Sequence, residues 1–178
     1  EYFHEALDYR FNPRKGWSLW LRAGAAIRRL PRNNLIRQLD ITDPYGDLPE
    51  RSFQYRIMSR VTTFLPLFRQ STLKMELQGA YIISNLGLLA NEQFRNGGAK
   101  LLRGFDEEFI FASNYTIGTL EYRLLIGQNA YLYTFADLAR VDNRTVKIPE
   151  DSNSINYPYG RGAGITFEIP VGLFGINL

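Results

Sequence analysis

The chain has 178 residues, 45% of them hydrophobic and 14% aromatic, with a formal net charge of +3 and no cysteine. These values exclude a disordered chain, a disulfide scaffold and thiolate metal sites, and they leave room for one domain with a real core. The basic residues are spread along the chain rather than gathered in a patch, which leaves nucleic-acid binding without support.

Mean hydropathy is −0.24, and no stretch reaches the ~18 consecutive apolar residues that mark a transmembrane helix. A membrane barrel stays open, because only alternate residues of its strands face lipid. The chain opens at Glu1-Tyr2-Phe3, without Met or a charged leader; if the protein is secreted or of the outer membrane, a mature fragment is expected. His4 is the only histidine. It reads as a solvated side chain near a terminus rather than a metal ligand, since no partner ligands accompany it.

In chain order, residues 12–16 (Asn-Pro-Arg-Lys-Gly) predict a tight turn, and the alternation of 17–25 predicts a strand. Residues 40–50, with Pro44, Gly46 and Pro49, predict a long loop. In 53–63, Phe53, Tyr55, Ile57 and Val61 share one face, and Gln54, Arg56, Arg60 and Thr62 share the other. Residues 73–81 repeat the pattern, with Leu73, Met75, Leu77 and Tyr81 opposite Lys74, Glu76 and Gln78. Residues 82–95 contain Gly87 and compete between helix and loop; they are assigned to a loop.

Further on, Leu120, Tyr122 and Leu124 oppose Thr119, Glu121 and Arg123. Gly127-Gln128-Asn129 predicts a tight turn. Residues 130–141 form a strand with Tyr131, Tyr133, Phe135 and Asp137 on one face and Ala130, Leu132, Thr134, Ala136 and Leu138 on the other. Residues 142–160 read as a long loop, and 163–169 as a strand with Ala163, Ile165, Phe167 and Ile169 on one side. Period two in several separate segments argues for strands with two different faces. Long loops alternating with short turns is the plan of an outer-membrane barrel.

Arg56, Arg60, Lys74, Glu76, Glu121, Arg123 and Glu168 all sit inside these strands. In a soluble sandwich or barrel they would face solvent; in a membrane barrel they would line a wet lumen. Alternation alone does not separate the two. Trp17, Trp20, Tyr131 and Tyr133 fit either an aromatic girdle or ordinary packing.

The segment Phe94-Arg95-Asn96-Gly97-Gly98-Ala99-Lys100-Leu101-Leu102-Arg103-Gly104-Phe105 is the most informative. Gly97, Gly98 and Gly104 permit turns that other residues resist, and they bracket an arginine flanked by apolar residues. A phosphate loop is excluded, because the Lys-Ser/Thr pair is missing. An arginine beside a glycine hinge, followed by strands carrying Glu121 and Asp137, suggests a loop that pins itself by an ion pair. The bland alternatives are a surface arginine at 103 and a turn-capping aspartate at 137.

These residues resemble the Arg-Gly-Phe signature of the superfamily of outer-membrane assembly factors of the BamA/TamA type, the bacterial surface antigen family, which also includes two-partner secretion transporters. The strand Thr119-Leu120-Glu121-Tyr122-Arg123 looks like the family strand with an inward glutamate. Phe135-Ala136-Asp137-Leu138-Ala139 looks like the family's Phe-x-Asp-x-Gly motif, with Ala139 in place of the glycine. The segment Gly160-Arg161-Gly162-Ala163-Gly164-Ile165 through Gly175 resembles its penultimate hairpin. The likeness covers roughly residues 8–178.

The resemblance implies an all-β fold: an antiparallel transmembrane β-barrel, of which residues 1–178 form about seven C-terminal strands of sixteen. Upstream strands, periplasmic POTRA domains and the last strand would lie outside the chain, and such a half-barrel is not expected to fold alone. It further implies a long inward-folded loop locked by Arg103, Gly104 and Phe105 onto Glu121 and Asp137, with Gly97 and Gly98 as hinge.

The implied function is assembly, insertion or translocation of other proteins in the Gram-negative outer membrane, by strand templating at a barrel seam. The implied partners are the outer-membrane bilayer, unfolded outer-membrane or secreted clients and accessory assembly lipoproteins; no cofactor, metal or nucleic acid is called for. No enzyme is expected, because no Ser/His/Asp set is evident around the one histidine and, although carboxylate pairs exist, nothing marks a cleft. The alternatives are a two-partner secretion transporter, the barrel anchor of a fused enzyme or, from another class, a soluble β-domain used for binding.

Overall fold

The computed structural model describes residues 1–29, 51–85, 88, 90–96, 103, 110–143, 154–170 and 172–178. The strands are β1 (Tyr2–Leu7), β2 (Gly16–Arg29), β3 (Arg51–Phe68), β4 (Ser71–Ser84), β5 (Phe94–Asn96), β6 (Ile110–Ala112), β7 (Asn114–Leu125), β8 (Tyr131–Asn143), β9 (Ser154–Asn156), β10 (Tyr159–Ile169) and β11 (Gly172–Asn177). One antiparallel sheet runs in the order β1-β2-β3-β4-β7-β8-β10-β11, with β9 paired to the end of β8; β5 and β6 form a separate ribbon.

Among the described residues the path therefore has eight strands, against about seven expected. The addition is β1, whose sequence Tyr-Phe-His-Glu-Ala-Leu puts apolar residues on both faces and so hides its period. The expected loop at 142–160 is also corrected. Strand β8 runs to Asn143, and β9 and β10 occupy its second half. Residues 82–95 are likewise not all loop: β4 continues to Ser84, a 3₁₀ turn spans Ala90–Glu92, and β5 follows. The loop expected at 40–50 lies outside the described residues.

Register holds without a slip along every long pairing except at one place. Between β3 and β4 it shifts between Pro66 and Phe68. Proline lacks the N–H that a ladder needs, so the irregularity falls where the hydrogen bonding must fail anyway. The constant register gives two faces. Outward stand Ile27, Phe53, Tyr55, Ile57, Leu77, Leu120, Tyr122, Leu124, Leu132 and Leu138, all at least 40% exposed. Inward stand Ser18, Arg56, Arg60, Thr62, Lys74, Glu76, Gln78, Thr119, Glu121, Arg123 and Asp137. Trp17 faces outward with its ring against His4, at 5.0 Å between centroids. Trp20, Tyr131 and Tyr133 face inward and so form no girdle.

Short turns gather at one end of the sheet. There Asp8 accepts backbone hydrogen bonds from Arg14 and Lys15 at 2.9 and 3.1 Å. Arg14 Nη2 donates to the carbonyls of Phe68 and Arg69, and Asn12 Nδ2 to that of Gln128. Three hairpin turns are thereby stitched together. The long connections, 30–50, 85–113 and 144–153, leave from the other end.

At that end the inward positions change character. Ala80 and Ile82 on β4, Tyr115 and Ile117 on β7, and Ala139 and Val141 on β8 form the buried core with Leu88, Phe94 and Ala112 of the 85–113 connection. Phe94 stands edge-on to Tyr115 at 5.7 Å. The core is therefore the seat of that connection, and Met58 packs beside it.

The two faces give an expected outcome for a protein held in lipid by its apolar side. Leu120→Arg, in the middle of β7, should cost about 2–4 kcal/mol, and Leu132→Arg, close to a turn, much less. Unfolding from vesicles measures both. Equal costs at the two positions would contradict a lipid-facing band.

Candidate functional site

Glu121 and Asp137 lie on neighbouring strands and face inward together. Asp137 is the Cα partner of Thr119, and Glu121 that of Phe135, so the two carboxylates stand diagonally across one pair of strands. Period two does the placing: residues 119, 121 and 123 share a face, as do 133, 135 and 137.

Arg103 reaches them from the 85–113 connection. Its Nε donates to Asp137 Oδ2 and its Nη2 to Asp137 Oδ1, each at 2.8 Å. Its Nη1 donates to Glu121 Oε2 at 2.7 Å. The backbone N–H of Arg103 adds a bond to Asp137 Oδ2 at 3.3 Å. All three guanidinium nitrogens are used, two on one carboxylate and one on the other. The planar fork of arginine suits this, and a lysine would supply charge without it. The guanidinium carbon also lies 3.6 Å from the centroid of the Phe135 ring, a stacking worth roughly 0.5–2 kcal/mol.

The pairs are poorly solvated: the side chain of Arg103 is 11% exposed, that of Glu121 5% and that of Asp137 2%. Removing one partner from such a site leaves a charge without water or counter-charge, which is why buried pairs break expensively.

Several participants were not singled out from the sequence as parts of this site. Arg123 Nε donates to Glu121 Oε1 at 2.7 Å, so each oxygen of Glu121 serves a different arginine. Arg123 itself is stacked at 4.5 Å from Tyr131 and 5.3 Å from Phe64. It lies two residues after Glu121, and Phe135 two before Asp137; spacing by two was the available signal. The inward glycines of β10 are the second omission. A Cβ at Gly160 would collide with the carbonyl oxygen of Arg103, and one at Gly164 with the Tyr133 ring. Bare backbone there lets the loop and the aromatic side chains lie flat on β10.

A third omission is a separate tether at the start of the same connection. Arg28 on β2 donates through Nη1 to both carboxylate oxygens of Glu92, at 3.0 and 2.8 Å, and through Nε to Ser52 Oγ at 3.0 Å. Arg56 Nη2 donates to the Glu92 carbonyl at 3.0 Å. No sequence pattern marks Glu92, because it sits on an irregular turn.

Of the other sequence candidates, Gly97, Gly98, Gly104 and Phe105 lie outside the described residues. Glu76 accepts from Thr62 at 3.0 Å and lies 3.3 Å from Lys74, and Glu168 accepts from Asn129 at 2.7 Å. Among the described residues, no group of three or more His, Asp or Glu side chains is placed to hold a metal ion.

The site gives an expected outcome. An exposed pair is worth about 0.2–1 kcal/mol and breaking a desolvated one about 3–5. The burial here places the Arg103–Asp137 coupling in the upper half of that span. A double-mutant cycle of Arg103→Ala and Asp137→Ala, read by protease sensitivity of the 85–113 connection, measures it. Arg103→Lys should recover only part, and Gly160→Val should loosen the connection without touching a charge. The strands should stay folded throughout, because their ladders are untouched. Wild-type sensitivity in Arg103→Ala would contradict a pinned connection.

The model of one protein family, the Omp85 superfamily domain, matches residues 2–178. No curated protein matches the chain.

Proposed function

The chain belongs to the Omp85 superfamily, and on that premise we propose that it is barrel wall and loop lock of a factor that inserts other proteins into the bacterial outer membrane. Members of the superfamily act generally in outer-membrane protein assembly or transport in Gram-negative bacteria.

The observation that carries the proposal is the two-carboxylate grip on Arg103. A connection is held on the polar face of a sheet whose other face is apolar and exposed. That two-facedness is what a lipid-embedded, water-lined wall requires. A soluble binding domain would instead bury its apolar face.

The mechanism is physical and needs no cofactor. A sheet edge exposes unpaired N–H and C=O groups, and a client strand can add to it by β-augmentation. The edge supplies direction and register, and alternate client side chains then find lipid or lumen. Arg103, Glu121 and Asp137 would hold the connection clear of the growing wall. The partners of this reaction are the bilayer and unfolded outer-membrane clients; accessory lipoproteins would deliver or regulate them.

Depletion of the full protein, followed by complementation, tests this. Wild type should restore the outer-membrane levels of many barrel proteins. Arg103→Ala and Asp137→Ala should restore them several-fold less well while reaching the membrane themselves. Loss of a single secreted protein, with barrel proteins unchanged, would overturn the insertase and favour the secretion transporter. Wild-type complementation by both variants would overturn the lock.

A further inference from the structure

The outward face carries very little charge, and where it does the placement is one-sided. Among the described strands, the charged residues on that face are Arg29, Arg51, Arg140, Asp142 and Arg161. Each lies toward the end of its strand from which the long connections leave. Asp142 is buried, whereas the four arginines are exposed.

Two of these arginines face each other. Arg29, the last residue of β2, is the Cα partner of Arg51, the first of β3. Like charges directly opposite on one face are ~4.5–5.5 Å apart at Cβ and destabilise a sheet. No hydrogen bond or ion pair to a carboxylate relieves either of them among the described residues, in contrast to inward Arg28, which binds Glu92.

Their height is also particular. The outward positions of β2 from Trp17 to Ile27 (Trp17, Leu19, Leu21, Ala23, Ala25 and Ile27) carry no charge. Ten steps at ~3.3 Å make ~33 Å of strand, and a tilt of ~40° reduces this to about 25 Å, the height of a barrel's apolar band. Arg29 is the next outward residue after Ile27, and Arg51 the one before Phe53. Both therefore fall at the level where hydrocarbon gives way to headgroups.

We propose that Arg29 and Arg51 form a clamp for the phosphate of a membrane lipid headgroup at the long-connection rim. The inference rests on the reading of the outward face as lipid-facing. A phosphate between the two guanidinium groups turns a repulsive pair into two charge-assisted contacts. Ile27, Phe53 and Tyr55 below them supply the apolar wall for the acyl chains of the same lipid. The ligand is thus a phosphoglycolipid with a net-anionic headgroup, bound from the side; a zwitterionic headgroup, whose own cation offsets its phosphate, would not relieve the pair.

The test uses the full protein in phosphatidylcholine vesicles with and without lipid A, which bears phosphates at its headgroup. Wild type should unfold at a higher temperature with lipid A present and should retain it on extraction. Arg29→Gln/Arg51→Gln should hold lipid A roughly thirty-fold less well, from about five-fold per basic residue near a membrane surface. The glutamine pair removes two facing like charges, so folding should not suffer.

Arg29→Lys/Arg51→Lys should keep most of the binding, since lysine also binds phosphate as a point charge. Arg22→Gln, on the inward face of β2, should change nothing, which separates a local clamp from net charge. Equal retention by wild type and the glutamine pair would overturn the clamp, as would a loss of the same size in Arg22→Gln. Stabilisation by inorganic phosphate alone would overturn the lipid assignment. Failure of the wild type to enter vesicles would remove the membrane reading and the clamp with it, whereas entry without lipid A preference removes the clamp alone.

Discussion

A slip of one residue between β7 and β8 would turn Asp137 out to the apolar face and strip Arg103 of its two-point partner. Register is therefore the constraint on which everything else in the structure depends. It is enforced twice. Leu120, Leu124, Leu132 and Leu138 need the outside, and the ion pairs need the inside. Since side chains alternate with period two, the two demands are satisfied by the same set of pairings and by no neighbouring one. The single irregularity, at Pro66, falls next to a turn, where no functional side chain depends on it.

The connection that supplies Arg103 enters the polar side for reasons that precede the ion pair. Near the long-connection end, the inward positions of β4, β7 and β8 become apolar, and Leu88, Phe94 and Ala112 cover them. Apolar burial of that kind attracts a chain but fixes it loosely, because it is not directional. The arginine pairs supply direction. Arg28 grips the start of the connection at Glu92, and Asp137 with Glu121 grips it at Arg103. These anchors lie on β2 and on β7–β8, so β3 and β4 lie between the two points at which the connection is held.

Much of this was legible in the sequence, and the reasons are specific. Strands β3, β4 and β7 alternate cleanly because lipid-like and polar demands fall on opposite faces, and period two is readable from residue types alone; β8 is fairly apolar on both faces, and Asp137 marks its inward side. Arg103, Glu121 and Asp137 were legible through three motifs in order rather than through any spacing. What stayed hidden lacked a local signature. The β3–β4 turn is Arg69-Gln70, with no Gly, Pro or Asn to mark it. Strand β1 is apolar on both faces. Glu92 acquires its partners only when β2 and β3 are folded beside it. Gly160 was visible as a hairpin glycine, but its purpose depends on where the Arg103 carbonyl comes to rest.

The strength of the grip bears on how a wall of this kind could open. Arg103 engages β7 and β8 directly, and through Gly160 it leans on β10. Among the described residues it makes no hydrogen bond to β11 or β1, the two ends of the strand order. A client strand that added beside β11 would meet backbone groups, and the lock would lie two strands away behind a row of glycines. In the proposed function these are separate energetic compartments: buried ion pairs several kcal/mol deep hold the connection, while ladder bonds worth about 0.5–1.5 kcal/mol each exchange at the edge. A connection anchored to the edge strand would have to break whenever the edge moved. Anchored on β7 and β8, it would in the proposed function stay closed through each cycle of strand addition while the edge exchanges partners.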